Sequence, residues 1–376
     1  MSNKILFNKP SIYKEEKIFI NHVLKNQKFA DGPFQRKCKL LIQNLVKSQC
    51  IEITQSCSSA LEVSMLLVDL KKGDEVIMPS YTFTSTANSV LLRGGTPVFA
   101  DVLFKDANLD IEDVKKKINK KTRAIILVHY AGISCDMSAY VKLAKDYNLY
   151  LIEDAAHAFL GKYNNKYLGT IGDFGAYSFH ETKNLIGGQC GALSINNKNF
   201  IKKATIILDK GTDRSILHNK KKFYSWYGIG SEYRAPELSS ALLFGQLKNY
   251  RKIYSSRRLI WLEYFNNFSK IKSNKFSLLE INNKKKRNAY HIFAIIFKNL
   301  NIRNKFIAYM NKQNIECYFH YYPLHMSKFG KQFIKDNLAN TKKIYEGLVR
   351  LPLYSKLKKF ELLYIINNVK KFIKLS

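Results

Sequence analysis

Acidic residues are scarce in this chain: 29 aspartates and glutamates stand against 62 lysines and arginines, a formal net charge of +33 at pH 7. Cysteine is scarce too. The six, at positions 38, 50, 57, 135, 190 and 317, form no Cys-x-x-Cys pair, which argues against a zinc site and a disulfide framework and suits thiols kept reduced in a cytosol. No apolar run approaches the ~20 residues that a membrane-spanning helix needs. The first residues alternate charged and apolar side chains, without the continuous hydrophobic core of a secretory signal. These absences predict a soluble, cytoplasmic chain with no metal site and no membrane partner.

What is present is ordinary for a globular enzyme. The 376 residues are 46% hydrophobic and 24% charged, enough for one large and one small domain with ample core. The excess positive charge raises nucleic acid or an anionic membrane as partners. A non-catalytic nucleic-acid-binding protein would account for it, and would bind arbitrary DNA tightly and salt-sensitively. Against that reading, the lysines are spread along the whole chain, with short clusters only at 220–222 and 284–287. No zinc-finger or aromatic-rich RNA-binding pattern accompanies them. A solvated basic surface explains the charge more simply, and it would also attract a nucleotide diphosphate. No nucleic-acid partner is expected.

Residues 174–193 organise the rest. An apolar run, 174–179, reads as a strand and delivers His180, Glu181, Thr182, Lys183 and Asn184; Gly187, Gly188 and Gly191 follow, and a second apolar strand starts at Ala192. A surface lysine on a hairpin is one reading of Lys183. The other is a partly desolvated lysine, whose pKa falls far enough for its neutral amine to form a Schiff base with a carbonyl. An upstream stretch favours the second: 149–158 is a buried-type strand ending in Glu153 and Asp154, followed by Ala155, Ala156 and His157. A carboxylate at the C-terminal end of a parallel strand lies where open α/β sheets bind ligands. Lys183 with Asp154 matches what pyridoxal phosphate needs, a Schiff-base lysine and an acid that keeps the pyridine nitrogen protonated.

Along the chain, amphipathic helices are expected around 15–24 and through Leu40, Leu41, Leu45 and Val46. From residue 51, strands (51–54, 75–79, 97–101, 122–128) alternate with helices, the pattern of a mostly parallel sheet. The stretch Gln55-Ser56-Cys57-Ser58-Ser59 opens a helix, where serines serve either as N-caps or as a phosphate cradle. One helical stretch, 237–268, links to a smaller α+β unit with strands at 291–297 and 315–319 and a helix at 304–314. The terminal helix, 359–373, has a basic face. Its Phe360, Leu362, Leu363, Ile365, Ile366, Val369 and Ile373 suit docking on a core better than lying on a membrane.

The run 178–184 (Ser-Phe-His-Glu-Thr-Lys-Asn), taken with 153–157 (Glu-Asp-Ala-Ala-His), resembles the DegT/DnrJ/EryC1/StrS family of sugar-nucleotide aminotransferases, from about residue 5 to the C-terminus. A narrower similarity runs through 79–83, 128–132, 210–215 and 319–325. The resemblance implies an α/β chain with the pyridoxal-phosphate-dependent aminotransferase type I fold. Residues 1–250 would form an arm and a large, mostly parallel-sheet domain, and 251–376 a smaller C-terminal α+β domain. It implies pyridoxal 5'-phosphate as cofactor, a homodimer with shared active sites, and transfer of an amino group from L-glutamate to C4 of a dTDP-4-keto-6-deoxy-sugar. The alternative is another nucleotide keto-sugar, aminated at C3 or with the opposite C4 configuration. Lys183 and Asp154 would be catalytic. His157 would meet the 3-hydroxyl of the cofactor, Ser58, Ser59 and Ser178 its phosphate, and Phe83 the face of its ring. His320 and His325 would contact the nucleotide sugar. A dehydratase branch of the family carries histidine at the lysine position, which Lys183 argues against. Many members have asparagine two residues past the glycine matching Gly230, reaching the partner subunit's phosphate; this chain has Glu232, whose charge repels a phosphate.

Overall fold

The computed structural model describes residues 4–216, 223–281, 285–334 and 336–375. The lysines at 220–222 and Lys284 lie outside them. Seven strands form the large sheet: β1 (Cys50–Thr54), β2 (Glu75–Pro79), β3 (Thr96–Ala100), β4 (Thr122–Val128), β5 (Tyr150–Asp154), β6 (Phe174–Ser178) and β7 (Gly191–Ile195). Their order across the sheet is β1-β7-β6-β5-β4-β2-β3. All neighbours from β6 to β3 run parallel. β7 is antiparallel to both β1 and β6. The strands read as continuous apolar runs because both faces are covered, as parallel sheets require. Along β4 the side chains alternate between two cores: Ala124 and Ile126 join one cluster, Ile125 and Leu127 the other.

A second sheet of three antiparallel strands, β8 (Phe276–Leu278), β9 (Ala294–Phe297) and β10 (Leu348–Arg350), carries its own cluster. The terminal helix Lys359–Leu375 docks there through Leu362, Ile365, Ile366, Val369 and Ile373, while Phe360 and Leu363, also expected in the core, lie on its exposed face. Ile5, near the other end of the chain, belongs to the same cluster and pairs with Ile315. Among the described residues no helix is long and apolar enough to cross a membrane, and no group of three or more histidine, cysteine or acidic residues is placed to hold a metal.

Four expectations need correction. The stretch 237–268 is two helices, Glu237–Lys248 and Tyr250–Phe268. Neither glycine nor proline breaks it. Asn249 does, its amide donating to Gly245 O and to Glu15 Oε2, both at 3.1 Å, in competition with the helical backbone. The strand at 291–297 shortens to Ala294–Phe297, and 315–319 forms only single bridges, Ile315 to Ile5 and Tyr318 to Arg350. The helix expected at 304–314 begins earlier, at Leu300, because Asn299 caps it by accepting from Ile302 N at 3.0 Å.

The end of β5 is fixed from beneath by Glu153, which is fully buried. Its Oε2 accepts from His129 Nε2 at 2.9 Å and from Gly169 N at 2.7 Å; its Oε1 accepts from Ile171 N and Gly172 N, both at 2.7 Å. One side chain thus satisfies three backbone donors of the β5–β6 connection and ties them to β4. Glu153→Ala leaves those buried donors unpaired. We expect a loss of about 3–5 kcal/mol of stability, seen as a lower denaturant midpoint.

Candidate active site

A cavity of about 820 Å³ opens at the C-terminal ends of β5 and β6, against the N-terminus of the helix Cys57–Leu67. At Gly191 the chain passes that helix so closely that a Cβ would lie 2.4 Å from the Ser56 carbonyl carbon, so β7 can start there only with glycine. The loop between β6 and β7 is closed by Phe179 N to Cys190 O at 2.8 Å and Gly187 N to Phe179 O at 2.7 Å. It presents Lys183 to the cavity. Loss of hydration lowers the Lys183 pKa from 10.5 to about 8; Arg350 pushes the same way, and Cys57 and Asp154 oppose.

Asp154 is buried at the end of β5 and rigidly held. Thr86 Oγ1 donates to its Oδ2 at 2.9 Å and Ala156 N to its Oδ1 at 3.2 Å. Burial raises its pKa, while these hydrogen bonds and then Lys183 counter the shift. His157 Nε2 and the Tyr321 hydroxyl share a hydrogen bond of 3.3 Å, and the two rings stack at 6.3 Å. Its other ring nitrogen, Nδ1, is buried with no partner. Burial, reinforced by Lys183 and Arg350, holds the His157 pKa well below 6.5, so the ring is neutral. Phe83, before the helix Thr84–Leu91, is 59% exposed and presents its ring to the cavity.

Of the residues expected from the sequence, Lys183, Asp154, His157, Ser58, Phe83, Ser178 and His320 line this one cavity. Two do not. Ser59 is occupied by the helix cap: its N–H donates to Ser56 Oγ at 3.0 Å and its hydroxyl lies 3.0 Å from the same oxygen. Ser58 instead reaches across to Ser85 Oγ at 2.6 Å. His325 is buried against Ser80, with Nδ1 2.7 Å from its hydroxyl, and does not line the cavity. His320 does line it, with Nδ1 3.1 Å from the Tyr130 hydroxyl. Glu232 is paired with Lys210, which offsets its charge.

Thr86, Tyr321 and Arg350 also line the cavity and escaped the sequence reading. Thr86 sits one helical turn past Thr82, with their hydroxyls 2.9 Å apart, a spacing that could have signalled it. Arg350 left no such trace.

The donor set fits pyridoxal phosphate. A lysine that can be neutral, a fixed carboxylate, an exposed aromatic face, hydroxyls at a helix N-terminus and the unpartnered His157 Nδ1 all converge. A family model described as the DegT/DnrJ/EryC1/StrS aminotransferase family matches residues 10–370. The chain belongs to this family. It is a pyridoxal-phosphate-dependent sugar aminotransferase. An uncharacterized protein of Methanocaldococcus jannaschii is 32% identical, over 97% of this chain and 96% of its own length. A GDP-perosamine synthase of Escherichia coli O157:H7 is 29% identical, over 96% and 97%. The PLP-form of a putative sugar aminotransferase from Streptococcus pneumoniae shares the fold, with a TM-score of 0.91 at 23% identity, covering 99% of both chains.

The aminotransferase cavity makes its lysine chemically separable from the other lysines. At pH 8 about half of Lys183 is neutral, whereas an exposed lysine titrates near 10.5. Brief acylation of the apoprotein, read by peptide mass spectrometry, is expected to label Lys183 ahead of the surface lysines. Its rate should climb through pH 8 and level off above it.

Proposed function

We propose that this enzyme moves the amino group of L-glutamate to C4 of a dTDP-4-keto-6-deoxy-hexose, giving dTDP-4-amino-4,6-dideoxygalactose. The convergence of Lys183, Asp154 and the unpartnered His157 Nδ1 on one cavity supports the amino transfer, and the choice of sugar rests on the narrower similarity through 79–83, 128–132, 210–215 and 319–325. When bound, pyridoxal phosphate supplies an electron sink for the pair released as a C–H bond breaks. The residues do the rest. Lys183 Nζ, with its pKa near 8, takes a proton from the donor Cα and in the return half delivers one to sugar C4. Asp154, held by Thr86 and Ala156, keeps a proton on the ring nitrogen. His157 Nδ1 would hydrogen-bond the 3-hydroxyl, and Ser58, Ser178 and the helix N-terminus would hold the phosphate.

His320 is read as a nucleotide-sugar contact, and the basic surface as an attractant for the diphosphate. Residues 1–250 serve as arm and cofactor domain, and 251–376 as the small domain. We further read the enzyme as a cytoplasmic homodimer with shared active sites. Supporting that, Phe223, Tyr224, Trp226, Tyr227 and Ile229 form one heavily exposed apolar stretch, of the kind that a second copy would cover.

A GDP-linked 4-keto-6-deoxy sugar is the second reading, because one relative is named a GDP-perosamine synthase. Incubation with glutamate and matched dTDP- and GDP-4-keto-6-deoxy sugars, with products read by mass spectrometry and NMR, separates the two. Amination of the dTDP sugar with the galacto configuration upholds the first; turnover of the GDP sugar alone upholds the second. Lys183→Ala should abolish turnover, and Asp154→Asn should lower kcat by about 10²–10⁴-fold while leaving the protein folded. Ordinary activity in either variant would remove the role assigned to that residue.

A further inference from the structure

Two arginines, Arg257 and Arg350, line the cavity, and no carboxylate among the described residues lies within ion-pair distance of either. A guanidinium withdrawn from water without an acid is costly and calls for another partner. Arg257 has found one in the backbone. Its Nε donates to Tyr290 O at 3.1 Å and its Nη2 to His291 O at 2.7 Å.

Arg350 is not so satisfied. It ends β10 and donates from Nη2 to Phe319 O at 3.1 Å, but its Nε is buried with no partner. The guanidinium lies over the Phe7 ring, 4.6 Å from its centre. Its charge acts on Tyr81, Tyr130, Tyr318 and Tyr321. Its charge reaches Lys183, His157 and His320 as well, lowering the pKa of each. Arg350 therefore combines an unused donor, an aromatic ring packed against it and a position within electrostatic range of the lysine.

We propose that Arg350 recognises the amino donor, binding its α-carboxylate and so positioning the donor's amine and Cα–H bond at Lys183. This rests on the aminotransferase reading above. An α-amino acid bears its carboxylate on the same carbon as its amine. A donor whose Cα meets Lys183 must therefore lay that carboxylate within a few bonds of it, and Arg350 is the cavity arginine with a buried donor left unpartnered. A planar guanidinium matches a carboxylate in two-point geometry. The 2-oxo acid product keeps the carboxylate and should compete at the same place. A diphosphate is the other anion the enzyme meets, and the test separates the two.

Arg350→Met and Arg350→Lys are compared with wild type in separate half-reactions of the holoenzyme, the donor half followed by bleaching of its visible band. The expected result for Arg350→Met is a donor KM raised about 10- to 100-fold with the sugar-nucleotide KM unchanged, and partial recovery in Arg350→Lys. In calorimetry on the apoprotein, 2-oxoglutarate should bind wild type and lose its affinity in Arg350→Met. A raised KM for the sugar nucleotide alone would reassign Arg350 to the diphosphate and overturn the proposal. Unchanged KM for both substrates, or unchanged 2-oxoglutarate binding, would overturn it as well. Failure of wild type to take an amine from any amino acid would count against the aminotransferase reading instead, because the titration reports on Arg350 without turnover.

Discussion

Adjacent buried carboxylates at the end of one strand set the conditions for everything around them. On β5 Glu153 and Asp154 face opposite sides, as neighbours on a strand must. Glu153 is consumed by structure, meeting three backbone donors and a histidine. That network removes any slack from the strand end and the connection that follows. Asp154 can then be offered to the cavity at a fixed position, with Thr86 and Ala156 choosing its orientation. A carboxylate so placed is useful only if it does not drift, and its neighbour prevents drift.

The electrostatics of the cavity follow from the same economy of acids. With few carboxylates available, Arg257 is satisfied by backbone carbonyls instead, and Lys183 and Arg350 have no carboxylate within ion-pair distance among the described residues. Burial and mutual repulsion then bring Lys183 into the range where it can exchange a proton near neutrality. The histidines beside it are held neutral for the same reason. The positive character of the site is thus partly latent, expressed when an anionic ligand arrives to be the missing partner.

How much of this was legible in the sequence depended on how local the cause was. Lys183 and Asp154 announced themselves because each sits in a short run whose neighbours have the right character: a strand before, small residues or glycines after. Ser58 and Ser59 were indistinguishable as letters. Only the direction of the first helical turn tells which hydroxyl caps and which faces the cavity. His325 looked like His320 in sequence, yet Ser80, far away in the chain, draws it out of the site. Arg350 was hidden among 62 basic residues, since what sets it apart is the absence of an acid beside it in space. The break at Asn249 was missed because a side chain, with neither glycine nor proline, produces it.

The first described residues pack against partners more than 300 positions further along the chain. Phe7 lies on Arg350, and its N–H is held by Glu316 across 309 positions of sequence, while Asn8 reaches the carbonyl of Glu181 in the lysine loop. During synthesis Phe7 emerges long before Glu316 and Arg350 and must wait, unengaged, until those residues have left the ribosome. A ribosome-bound or truncated product can therefore build the parallel sheet and seat its lysine, yet it lacks one wall of the pocket. Completion of the binding site becomes a late event, by which the finished chain differs from its own precursors.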